Sequence, residues 1–248
     1  YARESGKATS TCRRELGVLR AALSYCEREG YLKHAPPVVL PENAAPKDRW
    51  LTRREMALIL RASRQLRVDG RHLSKFILAC RYTGTRKSAA LALTIDLPSP
   101  TAGHIDTETG IIHRIGSDER KTKKRRGRAK APRQFLGHVR RWKANGCRYV
   151  VETNRGERVA DIRKGWVNMI EIAEKLAKKD GWHFDGSDVT PHTLRHTAIT
   201  WAMQNGARIA DVSSFFSVSV ETLERTYWHH HPDFQQSAVE AMERHGGK

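Results

Sequence analysis

A histidine and an arginine three residues apart stand near the end of the chain, close to the start of a predicted helix. In the segment His192-Thr193-Leu194-Arg195 these two side chains share one helix face. They would lie near the helix N-terminus, where free backbone N–H groups and the positive end of the helix dipole favour an anion. A phosphate bound there would contact a guanidinium and an imidazole that can donate or accept a proton. Alone the pattern is weak, because a solvated arginine beside a capping histidine has the same spacing.

Three further features give this pattern more weight. Arg86, in the segment Thr83-Gly84-Thr85-Arg86-Lys87-Ser88, lies at a predicted loop-to-helix junction and therefore also beside a helix N-terminus. Tyr227 follows Arg195 by 32 residues and carries a hydroxyl that can act as a nucleophile. A basic run, KTKKRR (121–126), lies between Arg86 and Arg195. The ordered set of arginine, basic run, His-x-x-Arg and tyrosine is far more specific than any one member.

The 248-residue chain is strongly basic, with 45 Lys and Arg against 27 Asp and Glu, a net charge of +18 and a pI near 10.2. Such an excess attracts a polyanion, of which nucleic acid is the commonest. The alternatives are a soluble protein that is merely basic and a protein that coats an anionic membrane. No apolar run is long enough to span a bilayer, and no signal-peptide pattern opens the chain.

The elements that must position these residues are mostly helices, in two parts separated by a linker. Residues 9–30 are predicted as a helix, and four prolines within eleven residues then exclude a helix up to Pro46. We therefore predict a domain boundary, with residues 1–45 as one helical piece plus linker and residues 46–248 as a second domain. The pattern Thr52-Arg53-Arg54-Glu55 predicts a capping box where the second domain begins its first helix.

The second domain is predicted to be mainly α with a small antiparallel β-sheet, an α+β fold. Residues 104–132 carry isoleucines among turn residues, which indicates three strands with the basic run at a hairpin tip. Thr190 is predicted as the N-cap of the helix that carries Arg195, with Pro191 in its first turn. The other predicted helices span residues 73–82, 85–91, 133–143, 162–178, 208–216 and 219–227. The tryptophans predicted to lie in the core are Trp142, Trp166, Trp182 and Trp201.

In the segments RYTGTRKSAALAL (81–93) and TPHTLRHTAITWAMQNG (190–206), and in Tyr227 beyond them, the sequence resembles the tyrosine recombinases, and among them the prophage integrases. The resemblance runs from about residue 9 to about residue 240. It implies a tyrosine recombinase catalytic-domain fold, preceded by the C-terminal part of a helical core-binding domain. Since the chain begins at Tyr1, we expect a longer protein in which the rest of that domain comes first.

The resemblance implies a role for each residue that matches the family's motifs. Arg86 and Arg195 match the two arginines that neutralise the scissile phosphate, most of all as charge builds in the transition state. His192 matches the histidine that assists proton transfer. Tyr227 matches the nucleophile, which forms a 3′-phosphotyrosyl link and expels a 5′-hydroxyl, so that rejoining needs no ATP. No metal or other cofactor is implied.

The family's general acid is a lysine on the hairpin, and Lys121, which precedes a threonine, is the best match. The register within the basic run leaves the next two lysines as alternatives. The predicted DNA contacts are Lys123, Lys124, Arg125, Arg126 and His229. The run His229-His230-His231 is not predicted as a metal site, since three consecutive residues cannot all face one ion and no carboxylate cluster is evident nearby.

Two positions depart from the family's pattern. Nine residues before Tyr227 the family commonly has histidine or tryptophan, and this chain has Val218, which cannot hydrogen-bond a phosphate. Three residues after Arg86 the family often has an acid, and this chain has Ala89. Three hypotheses therefore stay open: a site-specific recombinase, a decayed DNA-binding relic without chemistry, and a type IB topoisomerase, which uses a similar residue set. The helical piece, linker and compact domain favour the recombinase.

The implied partner is double-stranded DNA with attachment or recombination sites, bound by a homotetramer without membrane association. Four scattered cysteines with no CxxC pair fit the reducing cytoplasm of a bacterial cell, where the protein would associate with the nucleoid. Apolar residues at helical spacing after Pro232 predict a C-terminal helix. In this family such a segment often docks on a neighbouring protomer.

Overall fold

The computed structural model describes residues 6–43, 48–66, 70–118 and 127–245. The chain divides into two compact units, Tyr1–Lys47 and Asp48–Lys248. This division falls two residues after the predicted boundary between residues 45 and 46. Among the described residues, no helix combines the length and the apolar character that a membrane crossing requires.

The first unit is built on one long helix, α1 (Thr9–Arg28), which confirms the helix predicted over residues 9–30. Cys12 is fully buried, and the guanidinium of Arg13 donates a hydrogen bond to the carbonyl oxygen of Pro41. The proline-rich stretch therefore folds back onto the helix. Leu19 is 49% exposed, because so short a unit offers the helix little core to pack into.

The second unit is mostly helical, which confirms the predicted fold class. Its helices are α2 (Arg53–Gln65), α3 (Gly70–Thr83), α4 (Lys87–Ala92), α5 (Arg133–Ala144), α6 (Arg163–Lys179), α7 (Thr193–Gln204), α8 (Ile209–Phe216), α9 (Val220–Tyr227) and α10 (Gln236–His245). The predicted capping box begins α2: Thr52 Oγ1 accepts a hydrogen bond from the backbone N–H of Glu55 at 3.2 Å, and the Glu55 carboxylate accepts one from the N–H of Thr52 at 2.7 Å. These bonds satisfy N–H groups that the first helical turn leaves without partners.

A small sheet of four strands lies between α4 and α5 in the sequence, in the spatial order β1-β2-β3-β4. The strands are β1 (Thr94–Ile95), β2 (His104–Ile105), β3 (Ile111–His113) and β4 (Ala129–Lys130). The pairs β2–β3 and β3–β4 are antiparallel as predicted, whereas the additional strand β1 pairs with β2 in parallel. A strand of two residues directly after a helix is too short to show an alternating pattern in the sequence. The basic run at the predicted hairpin tip lies outside the described residues.

Helix α7 begins at Thr193, two residues later than predicted, because Thr190 starts a separate turn. The carbonyl oxygen of Thr190 accepts a hydrogen bond from the N–H of Thr193 at 2.9 Å, and its own N–H donates to Thr193 Oγ1 at 3.0 Å. Pro191 suits the second position of this turn, which needs no N–H donor there. His192 is the N-cap, so His192 and Arg195 still flank the first turn of α7.

Two hydrophobic clusters enclose α7. Its Leu194 and Trp201 belong to the main core, which α2, α3 and α6 also build. Its Ile199 and Met203 belong to a smaller cluster that α8 and α9 complete and that includes Tyr227. Close packing on both sides fixes the rotation of α7 about its axis. The prediction for the tryptophans is confirmed for Trp142, Trp166 and Trp201, which lie in the main core, and Trp182 is partly buried and packs against it.

Candidate active site

The guanidinium of Arg195, on the first turn of α7, is buried, with only 6% of the residue exposed. It donates hydrogen bonds to the carbonyl oxygens of Gly84 at 2.5 Å and Phe216 at 2.7 Å. Burial and then the charges of Arg86 and Arg114 lower the pKa of Arg195 to about 10, so it remains positively charged at neutral pH. Arg195 thereby joins the loop before α4 to the end of α8.

Arg86 is the N-cap residue of α4, at the predicted loop-to-helix junction, and it is half-buried. The loop before it requires glycine at position 84. The φ angle of Gly84 is +59°, and a Cβ atom there would lie 2.4 Å from Cδ1 of Phe216. The charge of Arg86 helps to lower the pKa of Arg195, so the two predicted arginines stand within electrostatic reach of each other.

A second buried guanidinium belongs to Arg114, directly after β3, which the sequence patterns did not single out. This residue is 6% exposed and donates hydrogen bonds to the carbonyl oxygens of Phe215 at 2.5 Å and Thr83 at 2.8 Å. Burial and the charge of Arg86 lower the pKa of Arg114 to about 10. The sequence signal for Arg114 was its place among the isoleucines of a predicted strand. A charged side chain that is buried in a strand needs a partner or a function.

The two buried arginines carry charges that their hydrogen bonds do not cancel. In the described part of the chain, Arg114 and Arg195 donate to neutral oxygens and to no carboxylate. Arg86 adds a third positive charge nearby. Burying charge without a counter-ion costs free energy, and a bound anion offsets that cost. The site is therefore suited to an anion such as a phosphate group.

The hydroxyl of Tyr227, the last residue of α9, lies 2.7 Å from Nδ1 of His196 on α7. Tyr227 is 4% exposed, and burial raises its pKa to about 12, so the phenol is protonated and donates this hydrogen bond. Burial, followed by the charges of His192 and Arg195, lowers the pKa of His196 to about 4. The His196 imidazole is therefore neutral near pH 7 and can accept a proton. The sequence signal for it was the second histidine of the pattern His-x-x-Arg-His.

The ring of His192 meets the ring of His196 edge to face, with the ring centroids 4.8 Å apart. His192 keeps an exposed edge, yet burial of the rest of its ring and then the charges of Arg195 and Arg86 lower its pKa. A neutral imidazole there can exchange a proton with an anion bound beside the arginines. The structure thus brings four of the residues named from the sequence into one site: Arg86, His192, Arg195 and Tyr227.

The turn that carries Val218 follows α8 and contacts Gly127, shortly before β4. Ser217 has a φ of +52°, and its Oγ accepts a hydrogen bond from the backbone N–H of Gly127 at 3.0 Å. Val218 packs on the smaller cluster, and its carbonyl oxygen accepts a hydrogen bond from Ser213 Oγ at 2.7 Å. Its side chain therefore contributes packing and no hydrogen bond. Ala89, the other departure, is partly buried in α4.

The remaining predicted site residues have different surroundings. The predicted general acid and most predicted DNA contacts lie outside the described residues: Lys121, Lys123, Lys124, Arg125 and Arg126. His229 is exposed in the 3₁₀ turn Trp228–His230, and its Nε2 lies 3.5 Å from Oδ2 of Asp48. The fold brings Asp48 next to the histidine run from the opposite end of this unit's sequence, a neighbour that sequence spacing does not reveal.

Comparisons with known proteins identify the fold. No protein-family model matches the chain, and no curated protein sequence matches it. A Tn1549 transposon integrase in complex with transposon right end DNA matches with a TM-score of 0.73 at 18% identity, covering 98% of this chain and 82% of that one. XerH site-specific recombinase bound to palindromic difH substrate matches with a TM-score of 0.61 at 14% identity, covering 98% and 70%. A lambda integrase dimer bound to a COC′ core site has a TM-score of 0.61 at 14% identity, covering 93% and 77%.

The chain therefore has the fold of the tyrosine recombinases, as the sequence resemblance implied. At 14–18% identity this likeness is one of fold, and one fold can carry several activities. The activity must follow from the residues of the site.

Proposed function

We propose that this chain carries out site-specific recombination of double-stranded DNA, cutting and rejoining strands through a 3′-phosphotyrosyl intermediate on Tyr227. The observation that carries the proposal is the hydrogen bond from the Tyr227 hydroxyl to His196, the residue next to Arg195. It combines a nucleophile, a proton acceptor and an anion-binding guanidinium in one site. The fold, which integrases and XerH share, agrees with this function.

In the proposed reaction the scissile phosphate binds at Arg86 and Arg195. Negative charge on its non-bridging oxygens increases in the five-coordinate transition state, so the guanidiniums lower the barrier as well as tightening binding. Arg114 is buried and contributes positive potential to the same place. His192, at the N-terminus of α7, contacts the phosphate and exchanges a proton with it. Hydrogen bonds to two carbonyl oxygens hold Arg195 in place before DNA arrives.

Strand cleavage exchanges one phosphate ester bond for another. The Tyr227 hydroxyl transfers its proton to Nδ1 of His196 as its oxygen attacks phosphorus. The bond from phosphorus to the 5′-oxygen breaks, and the leaving oxygen takes a proton from a general acid, for which Lys121 is the proposed donor. A 5′-hydroxyl from a partner strand then attacks the phosphotyrosyl bond and restores Tyr227, so the cycle consumes no cofactor.

The proposed assembly is a homotetramer on DNA in a bacterial cell, associated with the nucleoid, and the proposed biological reaction is phage-type integration or excision. The proposed DNA contacts outside the reacting centre are Lys123, Lys124, Arg125, Arg126 and His229. A net charge of +18 supports binding to a polyanion. Helix α10 exposes Val239 by 48% and Met242 by 78%, which suits docking on a neighbouring protomer.

A covalent trapping assay tests the proposal. The duplex carries sequence from the junctions that flank the gene of this protein. A nick beside the scissile phosphate makes the strand released by cleavage short, so that it diffuses away and religation fails. We expect the wild-type protein to form an adduct that survives detergent and heat. Tyr227→Phe should bind the same duplex without forming an adduct, and Tyr149→Phe, a matched control in the same unit, should behave as wild type. An adduct formed by Tyr227→Phe would contradict the assignment of the nucleophile.

Val218 favours a second candidate, a DNA-binding protein without chemistry, because the valine side chain at this position packs on the smaller cluster and cannot hydrogen-bond a phosphate. Normal DNA binding without any wild-type adduct would support this candidate.

A third candidate, a type IB topoisomerase, would relax supercoiled plasmid that has no recombination site. Under the proposed function, Val218→His should increase adduct formation, since it restores the histidine that tyrosine recombinases commonly have nine residues before the nucleophile.

A further inference from the structure

The geometry points to a binding site for a divalent transition-metal ion, best suited to zinc, formed by Asp48, His229 and His230. This site shares His229 with the proposed DNA contacts, but its test requires neither DNA nor recombination activity. One ligand atom from each residue lies within 4.8 Å of the other two. Oδ2 of Asp48 is 3.5 Å from Nε2 of His229, and Oδ1 is 4.0 Å from Nε2 of His230. The ligand atoms of a tetrahedral zinc ion are about 3.4 Å from one another. Side-chain rotations that move the three ligand atoms by about 1 Å would therefore bring them to this spacing.

His230 supplies an independent observation that points to a ligand. Its Nε2 atom is buried and has no hydrogen-bond partner among the described residues, although Oδ1 of Asp48 stands 4.0 Å away. The edge of Trp50 packs against its ring, with the ring centroids 5.8 Å apart, so the imidazole is held in place by contacts on its apolar surface. Burying a polar atom without a hydrogen-bond partner is unfavourable, and a metal ion on the unpaired nitrogen would remove that cost.

The third histidine of the run takes no part in the site. Nδ1 of His231 accepts a hydrogen bond from the backbone N–H of Asp233 at 3.1 Å, and the His231 ring stacks on Trp228 with the centroids 4.6 Å apart. Its Nε2 is also buried and has no hydrogen-bond partner among the described residues. In the same part of the chain, however, no carboxylate and further histidine lie close enough to this atom to form a metal site with it. Two of the three consecutive histidines face one point, which the geometry of a short turn allows.

The ligand set selects the class of metal. Two imidazole nitrogens and one carboxylate oxygen suit borderline ions such as zinc, whereas calcium and magnesium prefer sets made of oxygen atoms. Three protein ligands leave a fourth position for water or another oxygen. Asp48 and His229 are exposed, with 57% and 42% of their side chains accessible, so an ion can enter from solvent.

A bound ion would connect the beginning of the second unit with the turn that directly follows Tyr227. Asp48 opens this unit, and His229 lies two residues after the tyrosine. An ion that binds the folded chain more tightly than the unfolded one stabilises it by mass action. Zinc should therefore raise the melting temperature and order the segment that carries the Tyr227 hydroxyl.

The test uses the full chain, produced without a polyhistidine tag and freed of metal with a chelator. We expect titration calorimetry with zinc chloride to show saturable binding of one ion per chain, and cobalt(II) to give the visible absorption of a tetrahedral ion. Asp48→Asn and His229→Gln each change an exposed ligand and should weaken binding by roughly tenfold or more. Asp233→Asn, which changes the carboxylate beside His231, is the matched control and should bind zinc as wild type does.

Circular dichroism and melting without metal establish that each variant is folded. Absence of saturable zinc binding to the wild type, or equal affinity in Asp48→Asn, would overturn the proposal, and a loss shared by Asp233→Asn would reduce it to general binding by a histidine-rich segment. The adduct assay is read separately on metal-free protein. Failure of the metal site and failure of the recombination proposal are therefore distinguishable.

Discussion

The hydroxyl oxygen of Tyr227 and Nδ1 of His196 are 2.7 Å apart, on two helices, α9 and α7, that meet in the smaller hydrophobic cluster. The pKa of the phenol is about 12 and that of the imidazole about 4, so at neutral pH the proton stays on the tyrosine. Under the proposed function, transfer becomes favourable only as the oxygen bonds to phosphorus and loses its basicity. The pair would therefore keep Tyr227 protonated until a phosphate is in place.

His196→Gln tests this role because glutamine can accept the hydrogen bond from Tyr227 but cannot take up a proton. We expect single-turnover adduct formation at pH 7.5 to fall by about 100-fold or more, since a positioned general base contributes about 10²–10⁴. DNA affinity, measured by anisotropy, should stay within about twofold, because the guanidiniums supply most of the charge. His183→Gln, at an exposed position, is the control. Unchanged adduct formation in His196→Gln would show that the proton goes elsewhere.

Acid should destabilise the wild type more than His196→Gln. The pKa of His196 is about 4 in the folded chain against an ordinary value of 6.5, so the unfolded chain takes up the proton first as the pH falls. This loss of stability begins near pH 6.5, is complete near pH 4 and reaches about 3 kcal/mol at most. Urea unfolding of both proteins at pH 7.5, 5.5 and 4.5 measures it, and the other histidines cancel in the comparison. Parallel curves for the two proteins would contradict the shift.

Gly84→Ala should destabilise the chain, whereas Gly137→Ala should not. The Gly84 φ angle of +59° and the 2.4 Å approach of Phe216 Cδ1 to an added Cβ predict a loss of about 2–4 kcal/mol in the free energy of unfolding. Gly137 lies inside α5 with open space around a Cβ, so alanine there should add about 0.5–1 kcal/mol. Denaturant unfolding measures both, and a stable Gly84→Ala would mean that the loop before Arg86 adapts.

Arg114→Lys keeps the positive charge but cannot reach the carbonyl oxygens of both Thr83 and Phe215. The loop before Arg86 and the turn after α8 should shift, and a shift of about 1 Å at the reacting centre can slow catalysis about 100-fold. We expect adduct formation to fall by about 10–100-fold, with a much smaller change in DNA affinity. Arg208→Lys, an exposed arginine paired with Asp211, provides the control. Full activity in Arg114→Lys would limit this residue to a contribution of charge.

Long patterns in the sequence predicted the elements well. The helices α2, α5 and α6 carry apolar residues at helical spacing over three or more turns, and the capping box at Thr52 fixed the beginning of α2. Shorter features depended on tertiary contacts. Strand β1 has two residues, and Thr190 looks like an N-cap in sequence although its carbonyl and N–H close a separate turn. Local propensity does not distinguish these cases.

The residues missed within the site depend on contacts between distant parts of the chain. Arg114 donates hydrogen bonds to carbonyl oxygens in two other loops, and His196 contacts a tyrosine at the end of another helix. Asp48 meets the histidine run only in the folded chain. The order of motifs predicted which residues share a site, whereas the hydrogen bonds among them could be read only from the structure.

The acceptors that hold the two buried arginines are main-chain oxygens. Arg114 and Arg195 donate to the carbonyl groups of four residues, which are Thr83, Gly84, Phe215 and Phe216. Every amino acid carries this group, so substitutions at most of these positions would leave the acceptors unchanged, with Gly84 constrained by its φ angle. Sequence drift can therefore proceed around the arginines without moving them. The chain shares its fold with a Tn1549 transposon integrase at a TM-score of 0.73 and 18% identity, and main-chain acceptors place no demand on side-chain identity at most of these four positions.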